Sequence, residues 1–195
     1  MARPPFAGAA PGVRKNGAGV EEQMAETRQE EQQVDSKFSA LAGKYLTFVL
    51  DKEEYGLDIM KVQEIIGLIP ITVVPRVAEY VRGVINLRGR IVPTVDLRRK
   101  FGLAAVEDTD RTCIIVVEVE SPRGKIKMGI IVDQVAEVLD INARDINQPP
   151  DFGTSLDTAF ILAIGVVKGQ VKILLDVDKV LTTDEVRAVE TIAEN

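Results

Sequence analysis

The fold is decided by one stretch of sequence, residues 83–98, which reads GVINLRGRIVPTVDLR. Two segments rich in β-branched residues flank Arg88-Gly89-Arg90, and a glycine between two strands supplies the positive φ that a tight hairpin turn needs. Apolar residues recur at every second position from Ile91 to Leu97, which is the period of a half-buried strand. Pro93 has no N–H to donate, so it indicates an edge position or a break in the ladder there. The stretch predicts a β-hairpin.

An internal repeat extends this prediction to the rest of the chain. The hairpin recurs at residues 169–177, shifted by 169 − 89 = 80 positions. A second set of residues is shifted by 129 − 56 = 73 positions: Gly56, Val62, Glu64 and Ile65 correspond to Gly129, Val135, Glu137 and Val138. Chance similarity between valine-rich strands is the alternative. The ordered recurrence of glycines and acids favours a duplicated all-β unit with an insertion in its second copy.

Further strands and turns follow from alternation and from turn residues. Hairpins are predicted over 46–57, 111–133 and 161–177, and a helical turn over 98–103 that Gly102 ends. Residues 59–66 are ambiguous between a helical turn and a strand, and 77–81 are predicted as a short helical turn. Thr182 and Glu185 have the spacing of a capping box, which predicts a C-terminal amphipathic helix.

These elements predict three segments. Residues 1–43 are expected to be a disordered or weakly helical tail, because residues 1–20 are rich in Ala, Gly and Pro, and residues 21–37 in Glu and Gln. Residues 44–183 are expected to form the folded domain, and residues 184–195 the C-terminal helix.

The composition excludes several classes of function. The chain has no histidine, which removes His-based catalysis and His-ligated metal sites, and its one cysteine, Cys113, cannot form an internal disulfide. No phosphate-binding loop or nucleophile motif is present, so we expect no enzymatic activity, no cofactor and no metal. No secretory signal is visible and the apolar runs are too short for a membrane helix, so we expect a soluble, cytoplasmic protein.

A basic group stands out in this acidic chain, whose net charge is −6. Solvated hairpin ends account for most of the group, but Arg88 lies at the centre of the hairpin motif and can contact a carboxylate in two-pronged geometry. Nucleic-acid binding remains a weak alternative, because aromatic residues make up only 5% of the chain. The members of the group are Arg82, Arg88, Arg90, Arg98, Arg99 and Lys100.

Two motifs resemble those of the CheW family of bacterial chemotaxis coupling proteins. They are residues 84–98 and the upstream run EYGLDIMKVQEI at residues 54–65. The resemblance covers about residues 44–183. It implies a fold of two small, interleaved, five-stranded SH3-like barrels packed around a shared core.

The family resemblance also implies partners. CheW proteins join the regulatory domain of the histidine kinase CheA to the cytoplasmic tip of methyl-accepting chemoreceptors, so the protein is expected to be recruited to membrane receptor arrays without inserting into the membrane. A Glu64–Arg88 ion pair is expected to link the two motifs. The positions that the resemblance assigns to receptor binding are Val62, Glu64, Gly83, Arg88, Val135 and Val138.

Two further positions are assigned to the kinase. Phe152 is expected in a kinase-facing contact of the second barrel. Asn147 replaces a basic residue that some relatives carry just before this segment. The alternative to an adaptor is a stand-alone small-barrel protein that binds nucleic acid or acts as another kind of scaffold.

Overall fold

The computed structural model describes residues 38–150 and 159–194, and most of these lie in β-strands. Two α-helices accompany the strands, α1 (Leu97–Lys100) and α2 (Thr183–Glu194), and residues 38–41 are also helical. Three short 3-10 helices lie at Ile59–Lys61, Ala143–Asp145 and Val177–Lys179, so the stretch 59–66 is a helical turn followed by a strand. The strands of the described ranges are β1 (Gly43–Leu50), β2 (Glu53–Asp58), β3 (Val62–Gly67), β4 (Val81–Leu87), β5 (Arg90–Asp96), β6 (Cys113–Ser121), β7 (Gly124–Val132), β8 (Gln134–Ile141), β9 (Ile146–Asn147), β10 (Ile161–Val167) and β11 (Gln170–Leu175).

The predicted hairpin is confirmed, and its turn shows why the sequence forms it. Arg88 and Gly89 both have positive φ, 53° and 82°, as a two-residue turn that matches the twist of the strands requires. The Asn86 side chain accepts a hydrogen bond of 2.8 Å from the Gly89 N–H. Lys168 and Gly169 repeat this geometry at 52° and 77° between β10 and β11.

Pro93 does not mark an edge strand, because β5 pairs with β4 on one side and with β7 on the other. Its register partner Val84 directs both backbone groups away from β5, exchanging hydrogen bonds of 2.8 and 2.9 Å with Thr72. The ladder between β5 and β7 begins at Thr94. The missing N–H of Pro93 therefore falls where no ladder bond is made, and β5 is buried on both faces from Val92 onward.

The strands form two sheets that interleave the two halves of the chain. One has six strands in the order β8-β1-β2-β11-β10-β9, and the other has five in the order β3-β6-β7-β5-β4. We call them the six-stranded barrel and the five-stranded barrel. The predicted all-β fold of two small barrels with a C-terminal helix is confirmed. The sixth strand is the two-residue β9, and the sequence predicted neither β9 nor β8.

The register of the strands bears out the duplication. Gly56 lies opposite Leu174 in the parallel pair of β2 and β11, and Gly129 lies opposite Thr94 in the parallel pair of β7 and β5. These two pairs are related by the sequence offsets of 73 and 80 positions. Each barrel therefore combines the first hairpin of one repeat with the later strands of the other.

Three apolar clusters fill this arrangement. Tyr45, Ile141 and their neighbours form one cluster from strands of the six-stranded barrel, and Ile85, Ile114 and their neighbours form another from the five-stranded barrel. The third, which we call the central cluster, contains buried residues from both sheets and from α2. A run of stacked or tilted rings belongs to it, with centroids 5.7, 5.7 and 4.7 Å apart: Phe48, Tyr55, Phe101 and Phe160.

Both ends of the described chain pack against the barrels. Phe38 and Leu41 pack against the cluster of the six-stranded barrel, although the predicted tail runs to residue 43. At the other end, Val186 and Val189 of α2 are buried in the central cluster. The predicted capping box is confirmed, because the Thr182 N–H donates to Glu185 Oε2 at 2.7 Å and the Glu185 N–H donates to Thr182 Oγ1 at 3.3 Å.

Candidate partner-binding surface

The predicted ion pair between the two motifs is present. Arg88 Nη2 donates to Glu64 Oε2 at 2.8 Å, which joins the β4–β5 turn to the edge strand β3. The Arg88 side chain is 80% exposed and that of Glu64 is 23% exposed. The carboxylate therefore holds the guanidinium at the surface, where it still has donors available for a partner.

Most of the other cations in the basic group hold the fold together, so the expectation of solvated hairpin ends is wrong for them. Arg98 is buried and donates to Asp133, Asp51 and the Ala104 carbonyl. The remaining ion pairs of the group join Arg82 to Asp96 and Asp108, Arg99 to Asp96, and Lys100 to Glu185. Among the described residues of this group, only Arg90 has no such pair, and Arg88 is the only paired member that is largely exposed.

Val62 and Val135 occupy equivalent places in the two repeats. Val62 lies opposite Val117 on β6, and Val135 lies opposite Phe48 on β1; a register shift follows each of these positions in the ladder. Both valines are partly buried and pack against the central cluster. The structure thus places them at the margin of the core, where they present only part of their side chains to solvent.

Val138 is the most accessible apolar residue of the predicted set, at 51% exposure. Its equivalent in the first repeat is Ile65, which is 44% exposed and is absent from the predicted contact residues. The signal was available, because the offset of 73 positions already aligned Ile65 with Val138. We therefore add Ile65 to the candidate surface.

Gly83 is buried, and the structure gives it a backbone role. Its φ is +136°, and a Cβ built on it would lie 2.1 Å from the Thr72 carbonyl oxygen. The missing side chain allows Ile71 and Thr72 to lie against β4, and the Thr94 hydroxyl donates to the Gly83 carbonyl at 3.0 Å. Receptor contact by Gly83 stays a prediction.

Of the two positions assigned to the kinase, one lies within the described residues and the other does not. Asn147 is exposed on β9 and pairs with Ile164. It therefore lies in the same barrel as the N-terminal strand β1, because the repeats are interleaved. Phe152 lies outside the described residues.

The described residues contain no group of three or more Cys, Asp or Glu side chains placed to hold a metal ion. None of the helices in the described ranges is both long enough and apolar enough to cross a membrane.

Comparisons with known proteins agree with this geometry. The model of the CheW-like domain family matches residues 44–185, which includes both barrels. A chemotaxis protein CheW from Klebsiella aerogenes is 38% identical over 162 residues, covering 80% of this chain and 95% of that protein. A chemotaxis protein CheW from Rhizobium meliloti is 35% identical over 140 residues, covering 72% of this chain and 88% of that protein.

A solved structure shows the same fold. The crystal structure of the scaffolding protein TtCheW from Thermoanaerobacter tengcongensis superposes with a TM-score of 0.65 at 35% identity, covering 74% of this chain and 95% of that one. Sequence motifs, interleaved barrels and these comparisons agree, and the chain belongs to the CheW-like family.

Proposed function

We propose that this protein is a non-enzymatic chemotaxis scaffold that couples chemoreceptors to the histidine kinase CheA. The observation that carries the proposal is the family match over residues 44–185, which covers both barrels at once, together with relatives named chemotaxis protein CheW. A scaffold needs surfaces and a rigid frame rather than catalytic groups. The shared central cluster supplies such a frame, because it contains residues from both sheets.

The mechanism proposed is linkage between two binding faces. One face would take the receptor with Val62, Glu64, Arg88, Val135 and Val138, to which we add Ile65. The other would take the kinase through the segment that contains Asn147 and Phe152. If the frame is stiff, the free energy of each contact biases the position and state of the other partner.

The ion pair can be tested by charge reversal. Glu64→Arg and Arg88→Glu should each weaken receptor-dependent kinase activation, because each replaces the 2.8 Å ion pair with two mutually repelling charges, and the double variant should recover part of the loss. The effect on the free energy of unfolding should be small, about 0–1 kcal/mol, since Arg88 is exposed. If the double variant activates the kinase no better than the worse single variant, the pair does not orient the contact directly.

The receptor face is best tested at Val138. Val62 packs against the core, so a charge there would also destabilise the fold, whereas Val138 is 51% exposed. Val138→Asp should weaken receptor binding at least tenfold and leave kinase binding intact, because an unpaired carboxylate would enter an apolar contact.

The matched control is Val106→Asp, since Val106 is 57% exposed in the segment between α1 and β6. Binary affinities for receptor and kinase, with the kinase phosphorylation rate in the ternary mixture, form the readout. The two-face mechanism would be contradicted by a folded variant that no longer binds the receptor but still lets the receptor control the kinase at the wild-type level.

A further inference from the structure

The duplication allows the open ends of the two barrels to be compared residue by residue. The offsets of 73 and 80 positions place Lys127 in the five-stranded barrel at the position of Glu54 in the six-stranded one, and Val92 at that of Lys172. Arg90 in turn corresponds to Gln170. The backbone supports the equivalence, because β5 and β7 pair in the same parallel register as β11 and β2.

At this end of the six-stranded barrel, the charged side chains pair with one another. The side chain of Lys172 is only 3% exposed, and its ammonium donates to Glu54 and to Gln170. The cation and the carboxylate neutralise each other, and the amide oxygen takes a further donor. The buried ammonium group therefore has its partners within the protein and needs no external anion.

The five-stranded barrel has the opposite arrangement. Leu87, Arg88, Arg90, Val92, Lys127 and Glu64 line an open pocket of about 310 Å³. Glu64 is already engaged by Arg88, and within the part of the chain that the structure describes neither Arg90 nor Lys127 forms an ion pair. Val92, which is buried, takes the place of the lysine that the other barrel neutralises. Arg90 and Lys127 therefore face a pocket whose one lining carboxylate, Glu64, is paired with Arg88, and Glu118, which lies opposite Lys127 on β6, is paired with Lys125.

We propose that this pocket binds a short acidic peptide segment of a protein partner, with Arg90 and Lys127 recognising its carboxylates and the partly buried Leu87 contacting its apolar atoms. Charge-assisted hydrogen bonds from Arg and Lys to carboxylate are among the stronger contacts available at a protein surface. The pocket shares Glu64 and Arg88 with the proposed receptor face, but binding of an acidic segment by Arg90 and Lys127 does not require receptor–kinase coupling. Its test uses neither partner.

Nucleic acid is the less suitable polyanion. The pocket lining has no aromatic ring on which a base could stack, and Glu64 would repel a phosphate backbone. The chain as a whole carries a charge of −6, which opposes the counterion-driven binding of nucleic acid.

The test is fluorescence anisotropy of the full chain with fluorescein-labelled hexaglutamate at about 50 mM salt, compared with hexaglutamine and with oligothymidylate. We expect saturable binding of hexaglutamate that weakens with added salt, and none of hexaglutamine. Arg90→Gln and Lys127→Gln should each weaken binding at least fivefold. Lys168→Gln removes one positive charge from the equivalent turn of the other barrel and should leave the affinity within a factor of two.

Three outcomes would overturn the proposal: no saturable binding of hexaglutamate, equal weakening by Lys168→Gln, or binding of oligothymidylate with the same affinity and the same dependence on Arg90. Should either variant fail to fold, backbone amide shifts of the wild-type protein on titration with hexaglutamate give the answer. Shifts confined to residues 87–92 and 127 with their neighbours support the site, and shifts centred elsewhere refute it.

Discussion

Gly83 shows how much one missing side chain can decide. Its backbone has a φ of +136°, and the Thr72 carbonyl oxygen occupies the space that a Cβ would need. The close approach allows Thr72 and Val84 to exchange two hydrogen bonds, which place the segment between β3 and β4 against the barrel. A substitution here therefore acts on the backbone before it acts on any partner.

Gly83→Ala should lower the free energy of unfolding by about 2–4 kcal/mol, because it combines left-handed strain with displacement of Thr72. Gly89→Ala is the matched control: its φ is +82°, but nothing lies within 4 Å of the added Cβ, so only strain of about 1 kcal/mol is expected. Urea unfolding of both variants makes the comparison. If the two variants are equally stable, the displacement of Thr72 does not lower the free energy of unfolding.

Among the elements, helix α2 is held by a polar contact as well as by burial of Val186 and Val189. Glu185 accepts hydrogen bonds from Lys100 at 2.7 Å and from the Tyr80 hydroxyl at 2.6 Å. Burial raises the pKa of Glu185, but the hydrogen bonds from Lys100, Tyr80 and the Thr182 N–H outweigh it and lower the pKa to about 2. Burial, followed by the bond to Glu185, raises the pKa of Tyr80. The contact ties α2 to both α1 and the segment before β4.

The depressed pKa sets the sign of a pH dependence. An unfolded glutamate titrates near pH 4.3, so Glu185 stabilises the fold above that pH and the contribution is lost as the pH falls to about 2. Glu185→Gln should cost about 1 kcal/mol at pH 7 after allowing for solvent screening, and the difference from the wild type should shrink between about pH 4.5 and 2.

The control for this prediction is Asp184→Asn, because the neighbouring carboxylate is 91% exposed and pairs only with Arg187 among the described residues. Denaturant unfolding at a series of pH values measures both variants. A constant difference between the wild type and Glu185→Gln from pH 7 to pH 2 would rule out the ionised contact as the source of stability.

At the scale of the whole molecule, interleaving makes each barrel depend on both halves of the chain. The five-stranded barrel needs β6 and β7 from the second repeat, and the six-stranded barrel needs β1 and β2 from the first. The central cluster also takes residues from both. The two barrels should therefore unfold together rather than as independent units.

A split between residues 108 and 109, in the exposed segment before β6, tests this dependence. Neither fragment, 1–108 or 109–195, should show a cooperative unfolding transition when alone, because each barrel needs strands from both fragments. Mixing the two fragments should restore the transition. Circular dichroism melts of the halves, the mixture and the intact chain provide the measurement. A cooperative transition in either half by itself would mean that one repeat folds without strand exchange.

The sequence alone determined the local structure and the class of fold. The β4–β5 turn follows from Arg88-Gly89, the C-terminal helix from its capping box, and the duplication from two fixed offsets, since each depends on neighbouring residues or on simple periodicity. The family motifs also predicted the Glu64–Arg88 pair correctly.

Only the tertiary structure decided which strands share a sheet and which side chains remain accessible. Pro93 predicted either an edge position or a break in the ladder, and the sequence could not choose between them because it does not show the direction in which Val84 points its own backbone groups. Arg98 looked solvated because its carboxylates, Asp51 and Asp133, are distant in sequence. Burial and ion pairing between repeats depend on long-range register, and a local pattern of residues does not specify that register.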